Sequence, residues 1–300
     1  MGCLGAWTLY HLVKAGKDAV SFDLSTSRHR LEMLLSADEQ QAITFIQGDL
    51  TDTDAVSRVF DEQGITHVIH MAALQVPFCR KDPVMGARVN VTGTINVFEA
   101  ALHHDVGHVT YASSVAVFGG REHYADGLLP ADVPRLPATL YGVYKVANED
   151  SAQVYYQDYG LTSIALRPYT VYGVARDQGL TSEPTKAMLA AAKGEDFHIS
   201  FGGKMQFHYA SDVAQQFIHA TENPLDGAYV FSLGSPAVAV ADVAAMISNA
   251  AGTTVTVGDT LLPFPDGFDD AHLRAHIDTV YATPLADGIQ STINHFKQLG

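Results

Sequence analysis

Two residues of the segment YGVYK have types and spacing suited to proton chemistry, Tyr141 and, four positions on, Lys145. On a helix, positions i and i+4 share one face, so the lysine ammonium reaches the space beside the phenol. A neighbouring positive charge stabilises phenolate and draws the tyrosine toward the working range of a general base. Tyr144 adjoins the lysine instead of preceding it by one turn, and is read as packing. Ahead of this pair stand two hydroxyls, Ser113 and Ser114, either of which can hydrogen-bond an oxygen that gains charge during reaction. A Tyr-x-x-x-Lys pair arises often by chance, so its meaning depends on what surrounds it.

A second group lies at the start of the chain. Gly2 and Gly5 precede a helical stretch in MGCLGAW, and match the last two glycines of a GxxGxxG turn. Glycines there let the backbone approach a pyrophosphate, which then sits at the positive end of the helix. Asp23 ends the next apolar run, where a carboxylate accepts both ribose hydroxyls and repels a 2′-phosphate; this favours NAD, and only Arg28 nearby speaks for NADP.

These groups need a scaffold, and the chain alternates short β-rich runs with longer helical ones, the pattern of a parallel sheet covered by helices. Strands are expected over residues 19–23, 43–47, 67–70, 109–113, 163–167 and 228–233, with helices over 7–15, 54–62, 83–103, 141–159 and 185–193. After Asp242 a helix, a strand over 253–257, a Pro- and Asp-rich loop and a final helix from Pro284 read as a small C-terminal α/β cap. Residues 1–170 are thus expected to be mainly a dinucleotide-binding domain, and 171–300 a mixed segment that returns to the sheet and forms the cap. If Gly2 and Gly5 belong to such a turn, the first strand of a doubly wound sheet and the first glycine are expected ahead of Met1. The expectation is that Met1 is an internal methionine of a longer protein.

The 300 residues are 47% hydrophobic, enough for a sizeable core, and 18 basic against 33 acidic residues leave a net charge of −15. That balance repels phosphate backbones and anionic lipid, so neither nucleic acid nor membrane is an expected partner. Only Cys3 and Cys79 occur, without a CxxC pair, which points away from a disulfide framework or thiolate zinc site and toward a reducing, cytoplasmic setting. His272 and His276 share a helix face but lack a third ligand, so no metal site is expected.

In order and distance, the motifs resemble the extended short-chain dehydrogenase/reductases of the NAD-dependent epimerase/dehydratase family. The segments that carry the likeness are GDLTD, HMAALQ, NVTGTINVFEAA, SSVAVFG, YGVYK and LRPYTVYG. It covers roughly Met1 to Gly234 and implies a Rossmann-like doubly wound parallel sheet. By the family pattern the hydroxyl four residues before the aromatic of VFG is catalytic, which selects Ser114 to join Tyr141 and Lys145. Cofactor contacts are implied for Gly2, Gly5, Asp23, Asp49, Leu50, Ala72, Ala73, Asn90, Tyr141, Lys145 and Tyr169. Gln75, Ser114, Arg176 and Gln178 are expected at the substrate. The likeness implies oxidation at a carbinol of a sugar or sugar derivative, by an epimerase or a dehydrogenase. Val115 and Ala116 stand where the family's dehydratases carry Asp and Glu, which argues against dehydration. Arg274 is the only arginine near the C-terminus, which argues against a nucleotide-diphosphate substrate. A homodimer through the Tyr141 helix and the Asn90 helix is expected. The alternative is a dinucleotide-binding regulatory or scaffold protein in which catalysis has lapsed.

Overall fold

The computed structural model describes residues 1–299. Helix α1 (Cys3–Lys14) starts directly after Gly2, one turn before the expected Trp7, and buries Ala6, Trp7 and Leu9. Trp7 Nε1 donates to Val174 O at 2.9 Å, tying the helix to a loop far along the chain. Strand β1 (Ala19–Asp23) and, after a short helix α2 (His29–Glu32), strand β2 (Ile43–Gln47) pair in parallel with Ala19 opposite Ile43. Helix α3 (Thr53–Gln63) leads to β3 (Val68–His70). Its N-cap, Asp52, accepts from Ala55 N, and it closes on Gly64 at φ 58°, a conformation glycine adopts without a Cβ penalty.

The helix expected from residue 83 to 103 is present and carries a π bulge at its middle. The structure has α4 (Val76–Lys81), α5 (Pro83–Ala87), a π turn (Arg88–Thr92) and α6 (Gly93–His103). The bulge is flanked by two close approaches that glycine permits: a Cβ on Gly86 would lie 3.0 Å from the Tyr144 ring and 3.2 Å from Cys79, and one on Gly93 3.0 Å from Leu50 Cβ. The wider turn between these close contacts points Asn90 into the interior.

Strand β4 (His108–Ala112), helix α7 (Leu140–Tyr159), β5 (Thr162–Arg167) and the later β9 (Ala228–Ser232) complete a four-stranded parallel sheet in the order β3-β4-β5-β9. β5 is buried from Ser163 to Arg167, as a strand covered on both faces must be. Alternation sends Ile164 and Leu166 into one core and Ala165 into another, lined by Phe98 of α6 and Ala152 of α7. The first core is closed by α9 (Ala210–Glu222), which also packs on α1. This is the α/β Rossmann-like architecture, with helices on both faces of parallel strands.

The main sheet is in two pieces. β1 pairs only with β2, and β3 only with β4, and residues of both unpaired edges line one cavity. Among the described residues no strand lies between them.

The remainder forms two small sheets. β6 (Thr170–Tyr172), β8 (Lys204–Tyr209) and β10 (Ala237–Ala239) make one, β7 (Phe197–Phe201) and β11 (Val255–Thr260) the other. Helices α8 (Glu183–Ala192), α10 (Val240–Ala251) and α12 (Leu285–Leu299) pack together beside them, with α11 (Ala271–His276) against β9. Strands β6, β7, β8 and β10 were not among the sequence expectations. No described helix is long and apolar enough to cross a membrane.

Candidate functional site

One cavity of about 1160 Å³ runs from the α1 N-terminus, past the ends of β1, β3 and β4, to the first turn of α7. Its wall includes Gly2, Gly5, Asp23, Asp49, Leu50, Ala72, Ala73, Gln75, Ser114, Tyr141, Lys145, Tyr169 and Arg176, residues widely separated in the chain.

α7 sets the Tyr141–Lys145 pair. Thr139 caps the helix by accepting from Gly142 N at 3.1 Å, placing Tyr141 in the first turn and Lys145 one turn later. Lys145 Nζ lies 5.7 Å from the Tyr141 ring centroid and donates to Ala112 O at 2.6 Å. Burial lowers the Lys145 pKa from 10.5 to about 8, opposed by the negative charge of Glu149. Burial raises that of Tyr141, while a hydrogen bond with Ser114 and the positive charge of Arg176 pull it back. Ser114 opens a short 3₁₀ turn (Val115–Val117), its oxygen accepting from Ala116 N at 3.2 Å. Gly142 locks this turn onto α7, since a Cβ there would sit 1.9 Å from Ala116 O.

Ser113 faces the other way and donates to the buried Glu149 carboxylate. Glu149 also receives Arg167 Nε at 2.7 Å and Arg167 Nη2 at 2.6 Å, with Arg135 at 3.2 Å. This ionic knot lies directly behind the site and was not anticipated from sequence. Its signal was a Glu one helical turn past Lys145 on an otherwise ordinary helix. Tyr144 packs as expected, its hydroxyl donating to Pro83 O at 2.9 Å.

At the other end of the cavity, a Cβ on Gly2 would meet nothing within 4 Å, so the approach to the α1 N-terminus is open. The Asp23 carboxylate accepts from Ser25 N at 2.8 Å and lies 2.8 Å from the Met1 amino group. Asp49 accepts from Thr51 N at 2.8 Å, and Leu50 O from Asn96 Nδ2 at 2.7 Å, which fixes the GDLTD turn. Tyr169 turns its hydroxyl to Pro265 O at 2.5 Å and forms part of the cavity wall.

Two expected site residues are not brought to the cavity. Asn90 is fully buried and clamps Leu74, accepting from its N at 2.7 Å and donating to its O at 2.8 Å. Its contribution is to hold the strand-end loop that carries Ala72, Ala73 and Gln75. Gln178 is exposed, in the turn that Gly179 (φ 107°) continues, and is not part of the lining. Asp212 accepts from Thr283 N and from Thr283 Oγ1 at 2.9 Å, a structural tie between α9 and the segment before α12.

The family model described as the NAD dependent epimerase/dehydratase family matches residues 1–234. An uncharacterised 37.6 kDa protein of Escherichia coli O111:H- is 30% identical over 80% of this chain and 73% of its own. The UDP-glucose 4-epimerase of Mycolicibacterium smegmatis is 27% identical over 99% of this chain and 96% of its own. Two further curated relatives are matched over 58% and 32% of their own length. The crystal structure of the UDP-glucose 4-epimerase of Thermus thermophilus in complex with NAD superposes with a TM-score of 0.82 at 24% identity, over 99% of this chain and 96% of that one.

Proposed function

Because the chain belongs to the NAD-dependent epimerase/dehydratase family, we propose that Tyr141, Lys145 and Ser114 assist the oxidation by NAD of a carbinol of a sugar or sugar derivative, in an epimerase or a dehydrogenase. NAD is the cofactor, and the residues present fit it. The open α1 N-terminus suits a pyrophosphate, Asp23 a ribose diol, and Ala72 and Ala73 leave room for the middle of the molecule. Bound there, NAD supplies the hydride acceptor.

The observation that carries this reading is the meeting of three groups from separate elements, Ser114, Tyr141 and Lys145, in the wall of one cavity. Ser114 hydrogen-bonds the substrate oxygen and positions it against the phenol. Tyr141, as phenolate, takes the hydroxyl proton while the carbon loses hydride, leaving a carbonyl. The Lys145 ammonium, already held by Ala112 O, stabilises the phenolate. Burial pushes the Tyr141 pKa up, the Ser114 hydrogen bond and the Arg176 charge draw it back, and the Lys145 ammonium one turn away and the positive nicotinamide of a bound cofactor would add to that compensation. For an epimerase, the same proton returns from Tyr141 after the substrate has turned.

NADH appearance, or isotope exchange at the carbinol, in a panel of polyols, aldoses and sugar acids tests this. Tyr141→Phe is expected to lower kcat by roughly 10²- to 10⁴-fold; turnover unchanged in that variant would remove the assignment.

We also propose that two copies pair through α5 and α7. Val84 (70% exposed), Met85 (42%), Leu140 (43%) and Val143 (45%) lie on these two contacting helices. Light scattering is expected at twice the 32.2 kDa chain mass, and a mass of one chain at micromolar concentration would contradict it.

A further inference from the structure

Arg176 is a cation without an anion among the described residues. It belongs to no ion pair there, its Nε is fully buried with no hydrogen-bond partner, and the one side-chain hydrogen bond its guanidinium makes is from Nη2 to Thr181 Oγ1 at 3.5 Å. The adjacent Asp177 is taken by Arg30 Nε at 2.7 Å and His29 Nε2 at 3.3 Å. A guanidinium that is partly buried and left unpaired carries a cost, and its desolvation lowers the Arg176 pKa accordingly.

The group faces the reacting end of the cavity. Its charge acts on the Tyr141 phenol, and both residues line the same wall. Gly179 brings a second polar group beside it: a Cβ there would fall 2.1 Å from Gln75 Oε1 and 3.0 Å from Arg176 Nη2, so the amide and the guanidinium crowd one point. Arginine presents a planar fork that matches a carboxylate in two parallel hydrogen bonds.

The other cations of the cavity are committed. Lys145 serves the phenol and Ala112 O, and Lys17, at the opposite end, pairs with Glu222. Arg274, in the segment after β11, pairs with Asp270 at 2.7 Å and does not line the cavity. A diphosphate would meet one free cation among the described lining residues, whereas a single carboxylate needs only one.

Resting on the hydride-transfer reading above, we propose that the substrate is a hydroxy acid of the sugar-acid class, its carboxylate held by Arg176 with Gln75 and Thr181 beside the carbinol that Tyr141 deprotonates. The substrate is then not a nucleotide sugar, in contrast with the epimerases to which the chain is similar. Arg176 would set specificity and orientation, its charge favouring the Tyr141 phenolate while the proton itself passes to Tyr141.

The test uses the NAD-saturated protein with D-gluconate and D-glucuronate against D-glucitol, D-glucose, D-glucose 6-phosphate and UDP-glucose, read by calorimetry and by NADH formation. The acids are expected to bind in preference to the others. Arg176→Gln should weaken that binding and raise the acid KM roughly 10- to 100-fold, the loss of a charged hydrogen-bonded pair, with NAD affinity unchanged and Arg176→Lys recovering part of the loss. Binding of UDP-glucose, glucose 6-phosphate or a neutral sugar in preference to both acids overturns the proposal. So does an acid KM unmoved in Arg176→Gln, or NAD binding with neither acid bound. In each of these cases the hydride-transfer reading survives, since it stands on NAD binding and on the Tyr141→Phe result.

Discussion

At the scale of single residues, the buried Glu149 is the group on which the site rests. It is 1% exposed and accepts from Arg167, Arg135 and Ser113 at once. Glu149→Gln would leave the 7%-exposed Arg167 without its counter-charge, and unfolding in urea is expected to show a loss of roughly 3–5 kcal/mol; a loss below about 1 kcal/mol would show that the knot is dispensable. Lys145 carries a pH signature of a different kind. Its pKa falls from 10.5 to about 8 through burial, so between those values the unfolded chain binds more protons than the folded one. This group's contribution therefore strengthens folding as pH rises through the window and is lost as pH falls through about 8. Lys145→Met should flatten that rise in stability, and parallel pH profiles for the two proteins would contradict the burial account. Tyr141, Lys145 and Ser114 were legible in sequence because their chemistry is local: a helix period and a hydroxyl after a strand. The choice of Ser114 over Ser113 came only from family likeness, and the structure gives its physical reason, since Glu149 engages Ser113. Glu149 and Arg167 were not legible, because nothing in either segment announces that they meet.

At the scale of elements, the site depends on close approaches rather than on strong local propensities. Gly142 brings α7 against the 3₁₀ turn of Ser114, and Gly142→Ala would force a Cβ into Ala116 O at 1.9 Å. The expected outcome is a separation of Ser114 from Tyr141, seen as a drop in kcat of at least roughly tenfold with a destabilisation of about 1–3 kcal/mol; wild-type kcat and melting temperature would show that the two elements are not locked. The π bulge within the long helix was invisible for the same reason. Residues 83–103 carry a helical pattern and form a helix, and the close contacts of Gly86 with Tyr144 and of Gly93 with Leu50, which flank the bulge, depend on packing that the pattern does not encode. The short strands β6, β7, β8 and β10 were passed over because each is brief and stabilised by pairing across large sequence separations, as in Thr170 opposite Phe207. The parallel strands of the main sheet were found within a residue or so, their apolar runs being bounded by polar and glycine punctuation.

At the scale of the whole molecule, the parallel strands fall into two sheets, β1-β2 and β3-β4-β5-β9. β4 and β5 are paired on both sides, whereas β1 and β3 each leave one edge open toward the cavity. Amide hydrogen exchange should then be faster at β1 and β3 than at β4 and β5, and equal protection across the four strands would contradict the open-edge description. That both open edges line the site was not legible in the sequence, because a cavity is a property of the assembled elements. The same cavity must receive NAD if these residues do the chemistry assigned to them. The most direct measurement is a calorimetric titration of the protein and of Asp23→Ala with NAD and with NADP. One NAD per chain, a preference for NAD over NADP, and a loss of that preference in Asp23→Ala are the predicted results. No NAD binding to the protein, or an affinity and preference unaltered by Asp23→Ala, would contradict the account.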